Sequence, residues 1–289
     1  MHELIAKYVF LFSRRSARIT TSHLRNYLRL FSAWLEAQGA ASLSDLTPEI
    51  ITRYFAWNRT AWQPATAAHH RWAIKGFLAH LYREGYLLAS PWPEDFRFRP
   101  VRQRPRRIPT PTEAMAHLKK NVSRVNVALR NRAIFELAYG CGLRRCELMR
   151  LNLSDLAEDS LRVRGKGGRE RIVPLGKKAR WHLLKYIHTE RPHLTLRQPF
   201  ETALFVSFFG GRLGDSGYDW LNSRYRDPKR PITLQTMRHA CATHMLKGGA
   251  SLPLIQKLLG HERLSTTSIY THVDTNELKA VLKRCHPRK

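Results

Sequence analysis

Acidic residues are scarce in this 289-residue chain: 22 Asp and Glu stand against 50 Lys and Arg, a formal net charge of +28. Cysteine is scarce as well. Cys141, Cys146, Cys241 and Cys285 form no C-x-x-C pair, which removes the usual spacing of a structural zinc site and leaves ordinary reduced thiols. No apolar run approaches the roughly 20 residues that a bilayer-spanning helix needs. The apolar patch Tyr8–Phe12 is too short to serve as the core of a signal peptide. Internal repeats and low-complexity tracts are missing too, which excludes solenoid and fibrous architectures. These absences lead to the expectation of a soluble, cytoplasmic protein without disulfides or bound metal.

Positive charge is what the chain has in excess. A surplus of this size either repels itself or meets a polyanion. Any single arginine is best read as part of a solvated face, but the whole chain is not. Nucleic acid is the expected partner. An anionic membrane surface fits less well, because no long basic helix with an isolated apolar face stands out.

Residues 1–95 read as a small all-helical domain. Leu24, Tyr27, Leu28, Phe31, Trp34 and Leu35 recur at helical spacing between Thr20 and Gln38, and Gly39 ends the run. Thr47-Pro48-Glu49 has the signature of a helix start: a capping hydroxyl, a proline in the first turn and an acid at the positive end. A third helix is predicted from Pro64 to Glu84, with Trp72, Phe77, Leu78 and Leu81 on its apolar side. Residues 96–111 then hold Arg97, Arg99, Arg102, Arg104, Arg106 and Arg107, four prolines and no acid. Proline removes backbone donors and blocks helix, so this is an extended linker, and its arginines can track a phosphate backbone.

Residues 112–289 are helix-rich but mixed α/β, which makes the fold class mainly α in two domains. Leu161–Arg164 and Arg171–Leu175 read as a hairpin around Gly165-Lys166-Gly-Gly168. Helices are predicted over 112 onward, 131–139, 143–151, 176–190, 216–226, 234–247, 252–259 and 274–284, and a strand over Leu204–Phe209.

Phosphodiester transfer needs a nucleophile, cations on the developing charge and an acid for the leaving oxygen. Four segments supply these groups. In Gly142-Leu-Arg144-Arg-Cys-Glu147-Leu148, Arg144 follows a glycine turn at a helix start, where a guanidinium can grip phosphate with two parallel bonds. Lys166 sits on a tight turn from which it can enter a groove. Gln235 and Arg238 lie three residues apart on one helical face, while His239 and His244 read as packing residues. Finally, Leu258-Leu-Gly260-His261 precedes Ser268-Ile-Tyr270-Thr-His272-Val by a short segment. A tyrosine hydroxyl, with a pKa of about 10, becomes a nucleophile only beside cations and a base. Each segment alone has an ordinary surface or core reading; the set of four carries the inference.

The order and spacing of these segments resemble the tyrosine recombinase/integrase family, closest to the Xer type, over nearly the whole chain. The stretch from Leu-Leu-Gly-His to Ile-Tyr-Thr-His-Val, residues 258–273, is the most specific match, and Cys285-His-Pro-Arg288 resembles the basic Xer tail. The resemblance implies that 1–95 is the core-binding domain and 112–289 the catalytic domain. It implies that Arg144 and Arg238 hold the scissile phosphate, Lys166 protonates the leaving 5′-oxygen, His261 hydrogen-bonds the phosphate, and Tyr270 forms a 3′-phosphotyrosine link. It implies no cofactor, since the link conserves the bond energy and neither ATP nor metal is required. The implied partners are duplex DNA with specific sites and a tetramer, of one chain or with a second recombinase, whose protomers exchange the helix at about 274–284. Such a tail, with Leu278, Val281 and Leu282, can equally pack on its own domain.

One position departs from the family. Gln235 stands where it usually has His, and glutamine hydrogen-bonds but cannot shuttle a proton. The expectation is a functional site that is slower or leans on His261. The stretch from Tyr225 to Gln235 is also short beside the usual loop. Two other readings stay open at this point. A type IB topoisomerase uses a similar constellation, and a DNA-binding accessory protein would explain Gln235. Dimer resolution, integration of a mobile element and plasmid resolution are equally compatible with the sequence.

Overall fold

The computed structural model describes residues 1–16, 18–40, 42–58, 61–94, 96, 107–119, 127–165, 168–224, 232–260 and 275–288. The chain forms two compact units, Met1–Pro105 and Arg106–Lys289.

The first unit holds α1 (His2–Ser13), α2 (Arg18–Ala37), α3 (Pro48–Trp57) and α4 (Pro64–Arg83). Helix α2 buries Leu24, Leu28, Phe31 and Leu35, spaced three and four apart, against Ile51 and Tyr54 of α3 and Ile74, Phe77 and Leu78 of α4 in one apolar cluster. Thr47 caps α3, accepting the Ile50 N–H at 3.4 Å, with Pro48 in the first turn. The patch Tyr8–Phe12 belongs to a helix, α1, which buries Ile5 and Val9 one turn apart. One feature differs from the expectation. Trp72 is not on the buried face of α4; it is 46% exposed, with one edge against Phe12 at 5.7 Å between ring centroids.

The second unit is built around α6 (Ala128–Gly140), which follows α5 (Pro111–Lys119) and is buried nearly all round. Then come α7 (Arg145–Arg150), a hairpin of β1 (Ser160–Arg164) with β2 (Glu170–Pro174), α8 (Lys177–Lys185), α9 (Arg191–Leu194) and α10 (Asp215–Arg224). The unit ends with α11 (Leu234–Lys247), α12 (Leu252–Leu259) and α13 (Thr275–Cys285). The strands are antiparallel, with Leu161 opposite Val173 and Val163 opposite Arg171.

The expected strand over Leu204–Phe209 does not form. Ala203, Leu204, Phe205 and Val206 are buried, but they make isolated antiparallel bridges, Ala203 with Asn152 and Val206 with Arg212, not a continuous strand. Arg191 donates to the Ala203 carbonyl at 2.8 Å, Arg130 donates to that of Val206 at 2.8 Å, and Leu204 N–H reaches Leu151 at 2.9 Å. Buried guanidiniums thus satisfy two carbonyls that a continuous sheet would otherwise satisfy.

The C-terminal segment packs on its own unit. Leu278, Val281, Leu282 and Cys285 of α13 are buried in the unit's core. Beyond α13, buried His286 bonds through Nε2 to the Tyr139 carbonyl at 3.0 Å, while its Nδ1 accepts the Arg288 N–H at 2.9 Å. Arg288 donates to Glu136 at 2.6 and 3.0 Å. That carboxylate, fully buried, also meets Arg132 at 3.0 Å and His182 at 3.3 Å.

Burial pushes the pKa of His286 and of His182 down to about 4, and burial does the same to His70 in the first unit. An unfolded histidine titrates at about 6.5. Between those values the unfolded chain binds more protons than the folded one, so these histidines contribute stability above about pH 6.5 that is lost as pH falls toward 4. Thermal melts are expected to show Tm dropping steadily from pH 7 to pH 5; a flat profile would contradict the neutral, buried state of these rings.

Candidate active site

Two glycine turns bring the cationic side chains together. Gly142, at φ +64°, turns the chain between α6 and α7, and a Cβ there would run into Leu259. Gly260, also at φ +64°, ends α12 in the left-handed conformation that favours glycine. A Cβ on Gly260 would lie 3.0–3.3 Å from the Arg171 guanidinium. Both turns therefore need glycine for conformation and for space.

Arg144 caps α7 with its backbone, donating N–H to Glu147 Oε2 at 2.8 Å. Its side chain gives Nη1 to Glu147 Oε1 at 2.8 Å and to the Leu259 carbonyl at 3.1 Å, and Nη2 to the Gly260 carbonyl at 2.9 Å. Arg238, on the second turn of α11, donates to the carbonyls of Gly142 and of Leu259, the latter at 2.8 Å. One carbonyl oxygen, that of Leu259, thus accepts from both guanidiniums, which fixes them side by side. Burial, then the nearby Arg144 charge, lowers the Arg238 pKa to about 10, with Glu147 opposing; the group stays cationic at neutral pH. Of the neighbouring pair Arg144–Arg145, only the first faces this cluster. Arg145 is held by Asp215 at 2.7 Å and Asp219 at 2.5 Å.

A third arginine joins them. Arg171 on β2 meets Glu147 end-on, Nη1 to Oε1 at 2.8 Å and Nη2 to Oε2 at 3.0 Å, and its Nε donates to the Leu258 carbonyl at 3.0 Å. Burial pushes the Glu147 carboxyl up, but the bonds and charge of Arg171, then the bonds from Arg144, outweigh it and hold the group below its ordinary range. Three guanidiniums around one nearly buried carboxylate leave positive charge uncompensated, and Arg144, 34% exposed, is the most open of the three. An oxyanion is the natural ligand of such a cluster.

Gln235 sits exposed on the first turn of α11, one turn before buried Arg238. Lys166, His261 and Tyr270 lie outside the described residues, as do Arg97, Arg99, Arg102, Arg104 and Arg106. Arg107 is described; it pairs at the surface with Glu113 at 2.6 Å, and Glu113 also caps α5. His244 is a packing residue, bonded through Nδ1 to the Tyr139 hydroxyl at 2.9 Å. Among the described residues no group of His, Cys, Asp and Glu is placed to hold a metal ion, and no helix is long and apolar enough to cross a membrane.

Reading the sequence missed Arg171. A signal for it was present: β2 places Arg171 on the inward side, opposite buried Val163, while Ile172 faces out at 44% exposure. An inward cation beside an outward Ile inverts the usual strand pattern.

Residues 111–277 match the model of the phage integrase family, and residues 5–85 that of the phage integrase N-terminal SAM-like domain. Tyrosine recombinase XerD of Lacticaseibacillus casei is 33% identical over 299 residues, covering 100% of both chains. Tyrosine recombinase XerD of Ralstonia nicotianae (strain ATCC BAA-1114 / GMI1000) is 35% identical, covering 94% of this chain and 89% of its own. In fold, the chain is similar to a lambda integrase (75–356) dimer bound to a COC′ core site, with a TM-score of 0.70 and 19% identity over 93% of this chain and 99% of that one. The Tn1549 transposon integrase in complex with circular intermediate DNA gives 0.65 and 20% over 96% and 97%.

Proposed function

Since this chain belongs to the phage integrase family of tyrosine recombinases, we propose that it cleaves and rejoins duplex DNA at specific sites through a 3′-phosphotyrosine link to Tyr270. The observation that carries this reading is the shared Leu259 carbonyl: Arg144 and Arg238, far apart in sequence, stand side by side on it, and Leu259 lies two residues before His261 in the chain. Two adjacent guanidiniums suit the two non-bridging oxygens of a phosphodiester and the charge they gain in the five-coordinate transition state.

In this mechanism the Tyr270 oxygen bonds to phosphorus and passes its proton to water, while the bond from phosphorus to the 5′-oxygen breaks. Lys166 supplies the proton that the 5′-oxygen gains, and His261 hydrogen-bonds the phosphate. The step is reversed when a 5′-hydroxyl of another strand attacks the link. Gln235 supports the phosphate by hydrogen bonding and leaves proton transfer to other groups. Four protomers, alone or with a second recombinase, hold two sites together, and the arginines of 96–111 follow the backbone. Passing α13 to a neighbour requires release of Arg288 from Glu136 and of His286 from Tyr139. The reaction takes place on DNA in the cytoplasm, with neither ATP nor metal.

DNA crosslinked to the protein in its host is expected to contain repeats flanking a short central region. Duplexes carrying that site should yield recombinant products in EDTA without ATP. Relaxation of supercoils with no recombinants would instead support a topoisomerase. Binding should weaken steeply with salt, on the order of 10³-fold or more between 50 and 200 mM if 6 or more phosphates are contacted; an affinity flat over that range would refute the electrostatic reading of the +28 charge.

A further inference from the structure

We infer that Arg171 is a positioning residue of the cleavage site, holding the Glu147 carboxylate so that Arg144 and Arg238 stay available to the phosphate. The inference rests on the recombinase reading above and goes beyond its catalytic set.

Among the described residues Glu147 is the carboxylate that Arg144, Arg171 and Arg238 surround, and it is 1% exposed. A buried carboxylate must be matched by donors. Arg171 matches it with two parallel N–H bonds, one to each oxygen, the strongest geometry for this pair. Its remaining Nε–H is taken by the Leu258 carbonyl, and its side chain is 15% exposed. Each of the three nitrogens of the Arg171 guanidinium thus has a protein acceptor, two of them on the carboxylate. Arg144 gives the carboxylate a single side-chain bond and is more than twice as exposed. Arg238 stands 3.6 Å from Glu147, beyond hydrogen-bond range.

Without Arg171, the charge on Glu147 has only Arg144 and Arg238 to satisfy it. Both would be drawn onto the carboxylate and away from the phosphate. Arg171 also ties β2 to the end of α12, through Leu258, so the same side chain fixes the carbonyl ridge on which the other two guanidiniums rest.

This trap gives the variants an unusual sign. Arg171→Met keeps the volume and removes the charge. It should bind DNA as the wild type does but form covalent adduct on a nicked duplex carrying the recovered site about a hundredfold more slowly, the loss typical of displaced catalytic groups. Adding Glu147→Gln removes the trap, so Arg171→Met/Glu147→Gln should cleave at least tenfold faster than Arg171→Met. Because removing the second charge of a buried pair can also restore stability, the adduct rates are compared below both variants' Tm, where a residue needed only for folding leaves them at the wild-type rate. Where Arg171→Met does not fold, as read by its melting curve, Arg171→Lys with and without Glu147→Gln carries the same test. Wild-type cleavage by Arg171→Met, or a double variant slower than the single, overturns the inference. A wild type that forms no adduct on that duplex overturns the recombinase reading itself.

Discussion

Glu147→Ala is expected to destabilise the second unit and to halt DNA cleavage together. Glu147 accepts from Arg144 and Arg171 and lies 3.6 Å from Arg238. Removing it leaves three cations facing one another, two of them largely buried, with no carboxylate between them. Breaking a buried ion pair from one side costs about 3–5 kcal/mol. For a unit of this size that lowers Tm by roughly 6–20 °C. Cleavage should fall by at least about 10²-fold, because Arg144 loses both the bond that orients its side chain and the cap on its backbone N–H. Calorimetry and single-turnover cleavage below the variant's Tm read the two effects separately. A variant that melts and cleaves like the wild type would show that the arginines are ordered by something other than this carboxylate.

Tyr270→Phe is expected to have the larger effect on chemistry and almost none on anything else. It deletes one oxygen, the atom proposed to attack phosphorus, and keeps the ring. DNA affinity and its salt dependence should be unchanged. Covalent adduct should fall below detection, a loss on the order of 10⁴-fold or more, as for other attacking groups removed outright. Gel-shift titration beside denaturing electrophoresis makes the comparison in one experiment. An adduct that survives the substitution would place the nucleophile on another residue.

The two turns that bring Arg144 and Arg238 together were legible because their local chemistry is unusual. A glycine turn before Arg144 and a glycine stop before His261 mark chain reversals, and the structure uses both to stack Arg144 and Arg238 on the Leu259 carbonyl. The helices were legible for the ordinary reason: Leu24, Leu28, Phe31 and Leu35 repeat at the helical period, and Thr47 caps. Three things were not, each because a long-range contact overrides a local pattern. Residues 203–206 have strand-like composition, but the carbonyls of Ala203 and Val206 are taken by Arg191 and Arg130, which no local window contains. Trp72 has the spacing of the apolar side of α4, yet it is 46% exposed, with an edge against Phe12 of α1. Arg171 looked like one more basic residue in a basic chain. Its role appears only when β2 is paired with β1 and Glu147 is brought opposite, 24 residues away in sequence. In a chain of charge +28 the informative question about each arginine is whether it faces solvent or a buried acid.

The most direct measurement is to trap the intermediate with unaltered protein. A nicked duplex carrying the recovered site loses a short 5′-fragment on cleavage, which prevents rejoining. Digestion of the trapped species, followed by mass spectrometry, identifies the attached residue. The expected result is nucleotide joined through its 3′-phosphate to Tyr270, formed in EDTA without ATP. Site-specific binding with no adduct, or an adduct on any other side chain, would contradict the proposed chemistry.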